Sequence, residues 1–168
     1  MKPENSILVL MSVAKHIRNL LDDDGWQDRY ELIVAGNLAD SEKKISETVG
    51  SNTELKLPIL SLTYGPLGCD PREMGSTYGD TTALLRVFIY GVNLTQSLTL
   101  AEFLKREISD CDIDIKDYTS HAETPLGTAT TEKVRVDPVL KLGDPNLALR
   151  YEYVLETEIK YPAEKFLT

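Results

Sequence analysis

The sequence is poor in the residues on which most metal and nucleophilic sites depend. Among 168 residues there are two cysteines and two histidines, and the longest apolar stretch, 7–14, is far shorter than the ~20 residues of a membrane span. Cys69 and Cys111 form no CxxC pair, so a disulfide is possible but unneeded and a reduced, cytosolic setting is favoured. No cleavage site follows the apolar stretch, so no secretory signal is expected.

Basic residues are also in deficit. The chain has 27 acidic and 18 basic residues, for a formal net charge of −9. This balance argues against sequence-independent DNA binding, in which Lys and Arg neutralise phosphates. The 42% hydrophobic and 27% charged composition is that of an ordinary globular protein, and the length predicts one domain over 1–168.

No motif for catalysis or cofactor binding stands out. Asp110, Asp112 and Asp114 have the spacing that opens a calcium loop, but the glycine and glutamate required at its sixth and twelfth positions are absent. Alternation with isoleucine explains these aspartates as the solvated face of a strand. His16 and His121 are expected in polar, solvated positions, and neither a nucleophile elbow nor a phosphate-binding glycine loop is present. We predict no enzyme activity, no metal and no cofactor.

Two helices are predicted from periodicity and capping. The first covers 5–22 and ends at Asp22–Gly25, with the aspartates just beyond it. Its inward face is predicted to comprise Ile7, Leu10, Met11, Ala14, Ile17 and Leu21. The capping-box pair Thr99 and Glu102 predicts a second helix over 99–109. A weaker pattern indicates a short helix over 40–49, and Cys111, between helix and strand, is expected to be a small buried hydrophobe.

Strands account for most of the remaining chain. They are predicted at 32–35, 57–64, 81–93, 112–118, 133–142 and 147–161. The stretch 84–90 is apolar on both faces except for Arg86, which predicts a central strand. Segments 65–81 and 119–132 are predicted as a long loop and a polar loop or arm, lengths typical of surfaces that become ordered against a partner. The order of elements predicts an α+β fold: a mostly antiparallel sheet with the helices packed on one face.

Several of these segments together resemble a known group of proteins. They are LPILSLTYGPLGCDPREMG at 57–75, TALLRVFIYGVN at 82–93, LTLAEFLKREI at 98–108, DIDIKDY at 112–118 and LRYEYVLETEIKY at 149–161. In this pattern, which extends over about 5–161, the chain is similar to the neck and tail-completion proteins of tailed bacteriophages.

The resemblance implies a structural virion protein, the tail terminator. Such a protein forms a ring, usually a homohexamer, that caps the tail tube and joins it to the head connector. The implied partners are further copies of the chain, the tail tube protein and the connector or stopper protein, with DNA passing through the lumen without specific binding. The implied location is the tail or neck of the virion, after assembly in the host cytoplasm. A long final strand suits heterologous contacts around an axis, and an acidic lumen would not hold DNA, although solubility explains the charge equally well.

Three alternatives stay open at this point. The chain could be a head-completion or connector (stopper) protein of the same neck, a small cytosolic module that binds a peptide along an exposed strand, or a hydrolase with an unrecognised carboxylate pair. For subunit contact, loop length and tyrosine enrichment at interfaces point to five candidates. These are Arg72, Glu73, Tyr78, Tyr151 and Tyr153.

Overall fold

A computed structural model describes most of the chain. The described residues are 5–27, 29–35, 40, 43–44, 47, 58–71, 79–91, 93–118, 123–138 and 151–162. Their elements, in chain order, are α1 (Asn5–Asp23), β1 (Glu31–Ala35), β2 (Ile59–Pro71), β3 (Gly79–Gly91), α2 (Leu94–Ile108), β4 (Asp112–Asp117), β5 (Thr124–Pro138) and β6 (Tyr151–Pro162). In the predicted helix 40–49, the described residues Asp40, Lys43, Lys44 and Glu47 are helical and the others lie outside the described part.

The six strands form one curled sheet in the order β1-β2-β3-β6-β5-β4. The β1–β2 pair is parallel and the other four pairs are antiparallel. Helix α1 contacts β4 at one edge of this sheet and β1 and β2 at the other, whereas α2 contacts the interior strands β3, β6 and β5. The predicted α+β class, with a mostly antiparallel sheet and the helices on one face, is therefore confirmed.

The main core fills the space between the helices and one face of the sheet. Side chains of both helices and of every strand meet there, and the following are fully buried: Ile17, Leu21, Leu60, Leu62, Leu85, Ile89, Leu100, Leu104, Ile113, Ile115 and Ile159. Burying one such side chain contributes about 1.5–3 kcal/mol. A smaller apolar cluster on the opposite face comprises Ile33, Ile59, Phe88 and Tyr90. The prediction that 84–90 is central is confirmed, because β3 lies between β2 and β6.

The inward face of α1 differs from the predicted one. Ile7 and Met11 are 49% and 44% exposed, whereas Ser12 and Val13 are buried. Burial of the Ser12 hydroxyl is compensated, because its Oγ accepts a hydrogen bond of 3.1 Å from the backbone N–H of Lys116 on the edge strand β4. The helix is thus rotated toward β4, and apolar spacing alone could not reveal this.

The end of α1 also lies later than predicted, because Asp22 and Asp23 belong to the helix. Gly25 has a φ of +85°, a conformation that suits glycine after a helix. The N–H of Gly25 donates to the carbonyl of Asp22 at 3.2 Å, and that of Trp26 donates to the carbonyl of Leu21 at 2.9 Å. These two bonds form a Schellman motif that satisfies the last carbonyls of the helix.

Helix α2 begins at Leu94, five residues before the predicted start. The cap is Asn93, whose side chain accepts a 2.8 Å hydrogen bond from the N–H of Gln96. Thr99, the predicted cap, is an exposed residue within the helix. Asn93 and Gln96 do have the capping-box spacing, but Asn93 is also the last residue of the strand predicted over 81–93.

The two segments predicted as long loops, 65–81 and 119–132, are largely strand, so these predictions were wrong. Strand β2 continues through the glycines and prolines to Pro71 and pairs with β3 as far as Gly79, with a bulge between Pro66 and Gly68. Proline lacks the N–H that the ladder requires, which explains an irregularity there. Within the predicted arm, residues 124–132 belong to β5, and 119–122, which include His121, lie outside the described part, as do 139–150.

Candidate assembly surfaces

The predicted contact residues are only partly described. Arg72, Glu73 and Tyr78 lie outside the described part of the chain. Tyr151 begins β6, and the half-buried Tyr153 packs against the main core. Strand β6 pairs with β3 on one side and β5 on the other, so the backbone of this long final strand is already paired within the subunit. The role of the five residues in subunit contact stays a prediction.

Strand β2 has an edge that the described strands cover only in part. Strand β1 pairs with β2 only from Ile59 to Thr63, and from Tyr64 to Pro71 no described strand lies on that side of β2. The other side of β2 remains paired with β3 along this stretch, and β3 in turn pairs with β6. Eight residues in extended form span roughly 25 Å. The β2 outer edge, residues 64–71, is therefore a long stretch of the described sheet where the backbone is open to pairing with a further strand.

Two exposed rows of side chains lie on the helices. The α1 stripe consists of Ile7, Met11 and Lys15, and the α2 stripe consists of Leu94, Leu98 and Glu102, each at a spacing of four residues. Leu94 and Leu98 are 51% and 39% exposed. Since residues four apart lie on the same side of a helix, each stripe is one continuous surface.

The outer face of the sheet carries a row of charges centred on Glu156. This residue is only 8% exposed and lies directly across from Arg86 on β3 and Arg135 on β5. Its carboxylate accepts hydrogen bonds of 2.6 Å from Nε of Arg86 and 2.6 Å from Nη2 of Arg135. Burial raises the pKa of Glu156, but the hydrogen bonds from both guanidinium groups outweigh it, so the pKa lies below its ordinary value.

A cysteine and a histidine meet between α1 and β4. The Sγ of Cys111 lies 3.6 Å from Nε2 of His16. His16 is half-buried rather than solvated, and Cys111 is partly exposed rather than buried, so both expectations were wrong. Burial lowers the pKa of His16, and burial together with Asp112 and Glu107 raises the pKa of Cys111. Both shifts favour the neutral forms, whereas a nucleophilic cysteine requires a thiolate.

The aspartates of the rejected calcium loop are placed as alternation predicts. Asp112 and Asp114 are exposed on β4, and Asp112 accepts a 2.7 Å hydrogen bond from the hydroxyl of Thr130. Over the described ranges no group of three or more His, Cys, Asp or Glu side chains could hold a metal ion. An open polar groove of about 420 Å³ lies near the end of β6, between Lys160 and Thr128. The ion pair of Lys160 with Glu132 occupies one wall of this groove.

Comparisons with known proteins leave the family unassigned. No protein-family model matches the chain, and no curated protein matches it either. In the part of the chain that the structure describes, no helix is long and apolar enough to cross a membrane.

Proposed function

We propose that the chain is a structural subunit of a phage neck or tail, and specifically a tail terminator that forms a homohexameric ring. The observation that carries the proposal is the β2 outer edge, where the backbone has no strand partner among the described residues and is open to a strand of a neighbouring subunit. A contact between two different surfaces of one chain closes into a ring when its rotation permits. The segment resemblance described above supplies the class of assembly.

The acidic character supports the same function. A ring at the end of the tail tube encloses a channel for DNA, and the excess of acidic residues, 27 against 18 basic ones, disfavours adhesion to phosphates. The partners of the ring are then the tail tube protein on one side and the connector or stopper protein on the other.

Mass and position on the tube test this proposal. The ring gives a particle of about 113 kDa, six times the 18.8 kDa subunit, by light scattering after size exclusion. Purified protein mixed with tail tubes should bind at the tube ends in electron micrographs. Decoration along the tube sides, or no binding to tubes at all, would contradict the terminator function. Binding to isolated connectors but not to tubes would favour the head-completion or stopper alternative.

The same β2 outer edge favours one further candidate, a module that captures a peptide as an added strand. Amide hydrogen exchange distinguishes the two functions. In a ring, the amides of 64–71 become protected when subunits assemble, without any added peptide. In a peptide-binding module the protein stays monomeric, and these amides become protected only when an extended peptide is supplied.

A further inference from the structure

The two helical stripes carry complementary sequences. Each has two exposed apolar residues followed, four positions later, by a charged one: Ile7, Met11 and Lys15 on α1, and Leu94, Leu98 and Glu102 on α2. When two such helices lie side by side in the same direction, the apolar pairs coincide and the lysine meets the glutamate. The match therefore includes both shape and sign of charge.

The charged members of the stripes are available for such a contact. Among the described residues, exposed Lys15 makes no ion pair, and Glu102 makes one long contact, of 3.9 Å, with Lys105. Within one chain the helices pack on different strands, α1 on β4, β1 and β2, and α2 on β3, β5 and β6. The stripes thus lie on two helices that pack on different strands of the sheet.

We propose that the α1 stripe of one subunit docks on the α2 stripe of the next copy of the chain. This contact is heterologous, because two different surfaces meet, and repetition around an axis generates a closed ring. The inference rests on the proposed ring and identifies one of its contact surfaces. A stable interface buries about 1,000 Å² or more, and the two stripes supply only part of that area. Surfaces beside the helices supply the rest.

Charge reversal tests the pairing of Lys15 with Glu102. We expect Lys15→Glu and Glu102→Lys each to shift assembly to at least tenfold higher subunit concentration, because like charges then face each other. The double variant restores the attraction and should assemble as the wild type does. A control reversal at Lys43, which is 74% exposed and lies outside both stripes, should leave assembly unchanged.

A mixture of the two single variants gives a sharper result. In an alternating ring, the carboxylate introduced at position 15 meets the ammonium introduced at position 102, and the native Lys15 meets the native Glu102. An equimolar mixture should therefore form rings although neither variant does so alone, and six subunits permit perfect alternation. If the wild type and both single variants all form rings at the same subunit concentration, the stripe contact is refuted and the ring proposal still stands. A wild type that is monomeric both alone and on tubes would overturn both.

Discussion

Replacement of Glu156 by glutamine tests the charge row on the outer face of the sheet. The carboxylate is buried and accepts charge-assisted hydrogen bonds from Arg86 and Arg135, whose side chains are 45% and 67% exposed. A hydrogen bond to a charged group contributes about 1.5–3 kcal/mol. Arg135 is well solvated and contributes little to this sum, and solvent screening also weakens the bond from the partly exposed Arg86. Glu156→Gln should then lower the free energy of unfolding by about 2 kcal/mol at neutral pH.

The stability difference between the wild type and Glu156→Gln should depend on pH in one direction. The folded-state pKa of Glu156 is below its ordinary value, so the ionised form stabilises the fold. The contribution is complete above the unfolded-state pKa of about 4.3 and is lost as the pH falls through the folded-state pKa. Urea denaturation of the wild type and the variant should therefore differ at pH 7 and converge in acid.

A neighbouring ion pair provides the matched control. Glu158 lies on the same strand and face, and its partner Lys133 has a side chain that is 70% exposed. Glu158→Gln should cost less than about 1 kcal/mol, as is usual for surface pairs. In a chain of this size, 2 kcal/mol corresponds to roughly 4–8 °C in Tm. Equal losses in the two variants, or a Glu156→Gln deficit that stays constant down to pH 3, would refute the reasoning.

Two further predictions concern close packing and one buried hydroxyl. A Cβ at Gly91 would lie 2.1 Å from Oγ of Ser97. Gly91→Ala should therefore destabilise the fold by about 1–3 kcal/mol in urea titrations. At the control position Gly65 the nearest atom to an added Cβ is 3.9 Å away, so Gly65→Ala should stay within about 1 kcal/mol of wild type. Equal midpoints would contradict this. The fully buried hydroxyl of Thr131 donates to the carbonyl of Ile108 and accepts from the N–H of Cys111 at 3.0 Å. Thr131→Val should lower the free energy of unfolding by about 1–3 kcal/mol, and Thr131→Ser, which keeps the hydroxyl, should lower it clearly less. A greater loss for serine than for valine would refute the role of the hydroxyl.

Local sequence patterns predicted which helices and strands exist better than they predicted the residues at which these begin and end. The start of α1 and the strands at 32–35 and 112–118 follow from periodicity, which depends only on neighbouring residues. The hairpin of β2 and β3 could not be predicted in this way, because 65–71 contains two prolines and two glycines that ordinarily indicate a loop. Pairing with β3 over its whole length overrides those local preferences, and pairing is a property of distant residues.

The candidate surfaces were missed for a related reason. Ile7 and Met11 fit an apolar helical face, and only the hydrogen bond of Ser12 to the edge strand reveals that the helix is rotated away from them. The charge row depends on register, since Arg86, Arg135 and Glu156 come from three strands. Tyr161, on the same strand as the contact candidates Tyr151 and Tyr153, is buried, and its hydroxyl lies 2.6 Å from that of Tyr64, a contact between distant strands that the sequence does not reveal.

The position of α1 connects the fold to the proposed assembly. One side of this helix contacts strands at both edges of the curled sheet and satisfies a backbone group of β4 through Ser12, so it protects that edge against unwanted pairing. The opposite side keeps Ile7 and Met11 exposed. On the other side of the sheet, beyond the end of β1, residues 64–71 of β2 have no strand partner among the described residues. A subunit that covers one edge and leaves another open presents two unlike surfaces, and unlike surfaces are what a head-to-tail ring requires.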